Sequence, residues 1–270
     1  MLEYAPRGLV GALTPQANTT VEPEFAILWP PGYAVLNARI TSPATSLMQR
    51  MRDYWPGTDS YLDQFGVAPL SAVAYCCTGA SYVAGKDAED ALVKRVEAER
   101  GYPLIMSALA VTDALRALGA VTIGLVSPYP DDLTAASIGY WESRGFTVQD
   151  CVKAVGEEGA FHPIYSLTGD SARNAMAPLR EKPLDAPALG VPALDAPALD
   201  AIVLLGTGMP TLAPIADVAG KSGPPVISCM LCLAWRTKVA VDGEAPSAEN
   251  LAPWLAGEGW ADRLTQLSAY

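Results

Sequence analysis

Three pairs of short apolar runs recur in the same order along the chain, and this ordered repetition restricts the fold more than any other feature. Leu9-Val10-Gly11-Ala12-Leu13-Thr14-Pro15 resembles Thr122-Ile123-Gly124-Leu125-Val126-Ser127-Pro128. Ala72-Val73-Ala74-Tyr75-Cys76-Cys77-Thr78-Gly79 resembles Ala201-Ile202-Val203-Leu204-Leu205-Gly206-Thr207-Gly208. Pro103-Leu104-Ile105-Met106-Ser107 resembles Pro225-Val226-Ile227-Ser228-Cys229. One such match is the ordinary look of a buried strand, but three in one order indicate a duplicated half.

Each run ends in Gly, Pro, Thr or Ser and precedes a helix-like stretch, the pattern of βα units on a parallel sheet. Strands are predicted at about 7–14, 33–40, 71–77, 103–107, 121–127, 146–154, 200–206 and 224–228. The clearest helix is Thr112 to Leu118, closed by Gly119. The expected architecture is α/β: two pseudo-symmetric Rossmann-like halves, each a short parallel sheet flanked by helices, with the active site in the cleft between them. Residues 1–103 plus 220–270 are assigned to the N-terminal half and 104–219 to the C-terminal half. A Pro/Ala-rich loop at about 182–199 repeats Leu184-Asp185-Ala186-Pro187-Ala188-Leu189 as Leu194-Asp195-Ala196-Pro197-Ala198-Leu199, and prolines at that density exclude regular structure.

The chain carries a net charge of −11 with 17% charged residues, which argues against a nucleic-acid partner. A small anionic substrate would need local donors, such as strand-end amides and hydroxyls, in place of a basic field. The N-terminal apolar run is too short for a membrane span and carries no basic leader, so a cytoplasmic location is expected. Five cysteines, two of them adjacent, fit thiol chemistry better than a disulfide framework.

Cys77-Thr78-Gly79 ends a predicted buried strand where backbone amides open a helix or turn. Amides there face a bound anion, and the same helix end is expected to lower the Cys77 thiol pKa. Strand alternation puts Cys76 and Cys77 on opposite faces, so only one reaches the site, and Cys77 is the candidate. The matching turn, Gly206-Thr207-Gly208, is also rich in glycine and hydroxyls, and two such turns face to face would form a carboxylate pocket. Asn18 and Tyr129 follow equivalent strands, with helix capping and aromatic packing as their purely structural explanations. Ser81, Tyr82 and Tyr61 are further hydroxyls whose place relative to the pocket is open.

Cys229-Met230-Leu231-Cys232 has the spacing of half a zinc site but no second ligand pair, and His162 is the only histidine. It reads as a buried strand-to-helix junction, with His162 on a loop or rim. No GxGxxG or Walker pattern is present, and no metal or cofactor is expected.

The motifs Thr14-Pro15-Gln16-Ala17-Asn18-Thr19-Thr20-Val21-Glu22, Cys77-Thr78-Gly79, Tyr129-Pro130-Asp131-Asp132 and Leu204-Leu205-Gly206-Thr207-Gly208-Met209-Pro210-Thr211 resemble the aspartate/glutamate racemase superfamily, in its maleate cis-trans isomerase and arylmalonate decarboxylase branch. The resemblance implies Cys77 as the first family cysteine, Thr78 as its neighbouring oxyanion donor, Asn18 as a carboxylate contact and Tyr129 as the substrate tyrosine. The two facing turns add Gly79, Gly206, Thr207 and Gly208 to the candidate substrate-binding residues. The second family cysteine falls on Gly206, so a two-base racemisation lacks its partner. A decarboxylase needs one cysteine only, to protonate an enediolate, although the decarboxylase thiol resembles the second position and this one would act on the opposite face. The expected function is therefore cofactor-independent decarboxylation of a malonate-like small dicarboxylate. The alternatives are a maleate isomerase using Cys77 as nucleophile, or a non-catalytic dicarboxylate binder. A homo-oligomer is compatible with this reading.

Overall fold

The computed structural model describes residues 2–157, 162–181 and 198–267. Eight strands form two sheets of four. The first contains β1 (Gly8–Pro15), β2 (Tyr33–Ile40), β3 (Ala72–Tyr75) and β4 (Leu104–Met106), in the order β2-β1-β3-β4. The second contains β5 (Thr122–Ser127), β6 (Thr147–Lys153), β7 (Ala201–Leu204) and β8 (Val226–Ser228), in the order β6-β5-β7-β8. Every pairing is parallel. The two orders are the same with numbers raised by four, so the repeated runs occupy equivalent places and β2 and β6 add a fourth equivalence.

Helices interleave the strands: α1 (Val21–Leu28), α2 (Leu47–Tyr54), α3 (Thr58–Asp63), α4 (Thr78–Ala84), α5 (Lys86–Arg100) and α6 (Ser107–Ala117) accompany the first sheet. Then come α7 (Asp131–Ser143), α8 (Gly169–Glu181), α9 (Leu212–Val218), α10 (Cys229–Val241), α11 (Ala248–Leu255) and α12 (Trp260–Leu267). The helix expected from Thr112 begins earlier, at Ser107, directly where β4 ends. Leu118 is its C-cap, and Gly119 follows with φ of 67°.

Central strands β3 and β7 are buried along their whole length, whereas β2 and β6 are only partly covered. Helices on both faces of a parallel sheet require this pattern, because only an edge strand can tolerate polar residues such as Asn37, Arg39 and Asp150. Sheet membership divides the chain differently from the expected halves. Leu104–Met106 pairs with β3 in the first sheet, and Val226–Ser228 pairs with β7 in the second. The chain crosses after these strands: α6 and α10 pack on each other, and α10 also packs on β3. Parallel hydrogen bonding thus decides a boundary that composition leaves open. Most of the repeated Pro/Ala-rich loop lies outside the described residues.

Candidate active site

The C-terminal ends of β1, β3, β5 and β7 converge on one small cavity. It is lined by Asn18, Cys77, Thr78, Gly79 and Tyr129, and from the other turn by Gly206, Thr207 and Gly208. All eight residues singled out in the sequence therefore meet in one place. None of the lining residues is Lys or Arg, so an anion there meets hydroxyls and amides, as the acidic composition requires.

Four side-chain hydrogen bonds stitch the two halves together beside the cavity. Asn18 Nδ2 donates to Thr207 Oγ1 at 3.3 Å, and Thr207 Oγ1 donates onward to the Cys76 carbonyl at 2.7 Å. Thr20 Oγ1 donates to the Gly208 carbonyl at 3.0 Å, and Glu24 Oε1 accepts from the Thr211 amide at 3.0 Å. Asn18 also satisfies its structural explanation, because Oδ1 accepts from the Thr20 and Val21 amides at the start of α1. One hydrogen of its amide group is left to face the cavity. The Thr207 hydroxyl proton is committed to Cys76, so only its backbone amide remains for a ligand.

Glu24 is 4% exposed, and Oε2 has no hydrogen-bond partner. Burial pushes its carboxyl up to about 8, against the opposing pull of the Thr211 and Leu212 amides. The neutral form is thus the folded form. Its contribution to stability is complete below the ordinary value of 4.5 and is lost as pH rises through about 8. Glu24→Gln is expected to flatten the decline of Tm across that window, as thermal melts of both proteins over the pH range would reveal. Parallel pH profiles would contradict a buried neutral carboxyl.

Cys77 is the N-cap of α4, with Sγ 3.5 Å from Met51 Sδ. The expected lowering of its pKa does not occur. Burial pushes the thiol up to about 12, outweighing the Ala80 and Gly79 amides that favour the thiolate. The helix end acts as anticipated, but removal from water is the larger effect. Cys76 points away from the cavity, toward the Ala74 carbonyl, as strand alternation requires.

Gly206 faces the same cavity with φ of 85°, a left-handed conformation that favours glycine. A Cβ there would lie 3.1 Å from Pro128 Cγ and 3.2 Å from Tyr129 Oη. The tyrosine hydroxyl thus occupies the space into which any side chain at position 206 would project. Tyr129 Oη is 3.3 Å from Thr78 Oγ1, and burial raises its pKa well above the ordinary tyrosine value.

Pro15, Leu47, Met51, Ile164 and Tyr165 complete the lining and were not legible as site residues. Leu47 and Met51 lie one turn apart on α2, so they share a face, but nothing local tells where that face packs. His162 is not part of the lining but packs against it. Its ring stacks on Tyr165 at 4.0 Å, and Nδ1 accepts from the Ile164 and Tyr165 amides. Tyr165 in turn lies over Gly208, where a Cβ would come within 2.4 Å of Cε1. Tyr82 and Tyr61 do not line the cavity: Tyr82 stands behind Thr78, and Tyr61 donates to the Thr41 carbonyl. Ser81 is buried away from it. The cavity volume is about 30 Å³, room for little more than water, so a dicarboxylate must displace Met51, Leu47 or Tyr165. No cluster of three metal-ligating side chains exists among the described residues, and no helix there is long and apolar enough to cross a membrane.

Two equivalent parallel sheets with a buried thiol where their strand ends meet define a class of two-lobed α/β enzymes. The chain belongs to the arylmalonate decarboxylase family, whose model matches residues 58–252. A maleate isomerase from Pseudomonas putida is 25% identical over 92% of this chain and 97% of its own length. A maleate cis-trans isomerase from Nocardia farcinica, solved with a covalently bound succinylcysteine intermediate, superposes with a TM-score of 0.71 at 22% identity, covering 87% of this chain and 93% of that one. Arylmalonate decarboxylase itself superposes with a TM-score of 0.68 at 19% identity, covering 88% and 93%.

Proposed function

We propose that the chain decarboxylates a malonate-like small dicarboxylate, with Cys77 delivering the proton that replaces the lost carboxylate. The observation that carries this reading is a single, protonated thiol in the cavity, with Gly206 on the facing turn where a second cysteine would stand. The bond between the α-carbon and one carboxylate breaks, carbon dioxide leaves, and the electron pair passes into the remaining carboxylate as an enediolate. Thr78 Oγ1, Tyr129 Oη and the amides of the 206–208 turn would stabilise that dianion. The Sγ–H bond of Cys77 then breaks, its proton forms the new C–H bond, and the electron pair stays on sulfur. The Gly79 and Ala80 amides favour that thiolate, and water returns the proton when product leaves. This reaction requires no cofactor.

A prochiral aryl-alkyl malonate tests the reading. Carbon dioxide release with one product enantiomer is expected, of opposite hand to a decarboxylase whose thiol stands on the other wall. Release no faster than that of the Cys77→Ala protein would sink it.

The second reading, maleate isomerisation, is favoured by the relative that matches almost end to end. It needs Cys77 as a thiolate that adds to the double bond, and burial opposes that form in the closed cavity. Conversion of maleate to fumarate without carbon dioxide release would establish it in place of the first.

Both readings need the 206–208 turn as it stands. Gly206→Ala is expected to cost about 1–2 kcal/mol through its left-handed backbone alone. An unchanged denaturation midpoint would mean that the turn relaxes freely.

A further inference from the structure

Two cations stand at equivalent places in the two halves, and no step above uses either. The internal repeat aligns Thr14-Pro15 with Ser127-Pro128. Sheet register pairs Thr14 with Arg39 on β2 and Ser127 with Lys153 on β6. Each cation therefore lies toward the C-terminal end of an edge strand, beside the loop that leaves β1 or β5 for the cavity. Those loops deliver Asn18 and Tyr129 to the cavity lining.

Arg39 Nη1 donates to the Asn18 carbonyl at 3.2 Å and to the Pro15 carbonyl at 3.4 Å, while Nη2 pairs with Glu22 in the first turn of α1. Lys153 Nζ donates to the Tyr129 carbonyl and to Thr134 Oγ1 at 3.0 Å, and pairs at 3.2 Å with Asp131, the first residue of α7. The directions are fixed, because a guanidinium or ammonium only donates and a carbonyl only accepts. Around Tyr129 the bonds close a ring. Its amide donates to Ser127 Oγ at 3.3 Å, its carbonyl accepts from Thr134 Oγ1 at 3.2 Å, and the two hydroxyls lie 2.7 Å apart. The side chains of Arg39 and Lys153 are 42% and 38% exposed, so their ion pairs contribute little to stability, and what they fix is the local backbone.

The geometry points to Arg39 and Lys153 as a matched pair of positioning residues. Each holds the main-chain carbonyl of a residue whose side chain lines the cavity, Asn18 or Tyr129, and so sets where that side chain meets the substrate. This rests on the reading of the cavity as a carboxylate site. It also gives cations a part in a site whose lining contains neither lysine nor arginine: they act one layer out, on the backbone.

Lys153→Met and Arg39→Met remove the clamps, and Lys153→Arg and Arg39→Lys restore a donor at each place. Arg173→Met, which removes an exposed ion pair on α8 outside the cavity lining, is the control. With an aryl-alkyl malonate as substrate, Lys153→Met is expected to lower kcat roughly tenfold to a hundredfold through misplacement of Tyr129, with KM within about twofold. Arg39→Met is expected to raise KM on the order of tenfold, because Asn18 grips a carboxylate present in substrate and enediolate alike. Each conservative variant should recover most of its loss, with Tm within about 4 °C of wild type throughout. In a Tyr129→Phe background, Lys153→Met should add less than about twofold, since its effect runs through the tyrosine hydroxyl. Wild-type kinetics in either methionine variant, an undiminished loss in the Tyr129→Phe background, or the same losses in Arg173→Met would overturn the proposal. Should the wild-type protein release no carbon dioxide, decarboxylation fails as a reading, and hydrogen exchange of residues 15–20 and 128–134 then reads the clamps without any substrate. Faster exchange there in the methionine variants, with recovery in the conservative ones, supports the pair, and unchanged exchange refutes it.

Discussion

Replacing Cys77 with alanine is expected to lower kcat by roughly 10²- to 10⁴-fold, the usual worth of a positioned proton donor, while the fold survives. The fold should survive because Cys77 is a small group at the edge of the core, with Met51 Sδ as its sulfur contact. Cys77→Ser is the informative companion. A hydroxyl is a much weaker acid than a thiol, so serine should recover little of a proton-donor activity even though it fits. Wild-type turnover of a malonate by Cys77→Ala would remove the thiol from the chemistry altogether. The pH profile adds a direction: a thiol held protonated by burial acts as an acid throughout the neutral range, whereas a thiolate nucleophile should gain activity as pH rises.

The largest expected loss of stability comes from Arg144, at the end of α7. Its side chain is 3% exposed and pairs with Glu89, which is 0% exposed, at 2.6 Å, and with Asp90 at 2.7 Å. Arg144 Nε also donates to Tyr140 Oη at 3.1 Å, and Tyr140 Oη donates to Glu89. Arg144→Ala strands the Glu89 carboxylate in the interior, which should cost about 3–5 kcal/mol. That corresponds to a fall in Tm on the order of 10 °C for a chain of this size. Burial alone already pushes the Glu89 carboxyl up. In the variant it will fold protonated, so the destabilisation should grow as pH rises above the ordinary carboxylate range. Adding Glu89→Gln should recover part of the loss. A change below about 1 kcal/mol would mean that water reaches the pair. The pair also bears on the site, since Glu89 lies on α5, which packs against the α4 helix that carries Thr78 and Gly79.

The two-sheet architecture was legible because a strand buried on both faces must be apolar along its length, and that signal is local. All eight predicted strand regions contain a strand, and their repeated order anticipated two sheets of equivalent topology. The division between halves was not legible, because β4 and β8 choose their sheet by hydrogen bonding to β3 and β7, elements distant in sequence. Asn18 shows a related ambiguity: the same residue caps α1 and faces the cavity, so the structural and functional explanations both describe real contacts.

The position of Cys77 at the end of a buried strand, and its pairing with the equivalent Gly206-Thr207-Gly208 turn of the other half, were legible in the sequence. The protonation of Cys77 was not. A helix N-terminus favours thiolate, and only the packing of the surrounding elements excludes the water that a thiolate needs. The same holds for Tyr129 Oη beside Gly206 and for Tyr165 over Gly208. Each depends on where distant elements meet, and pKa values and proton directions follow from those meetings. Local patterning therefore names the thiol, while the tertiary structure decides which chemical form it takes and which groups surround it.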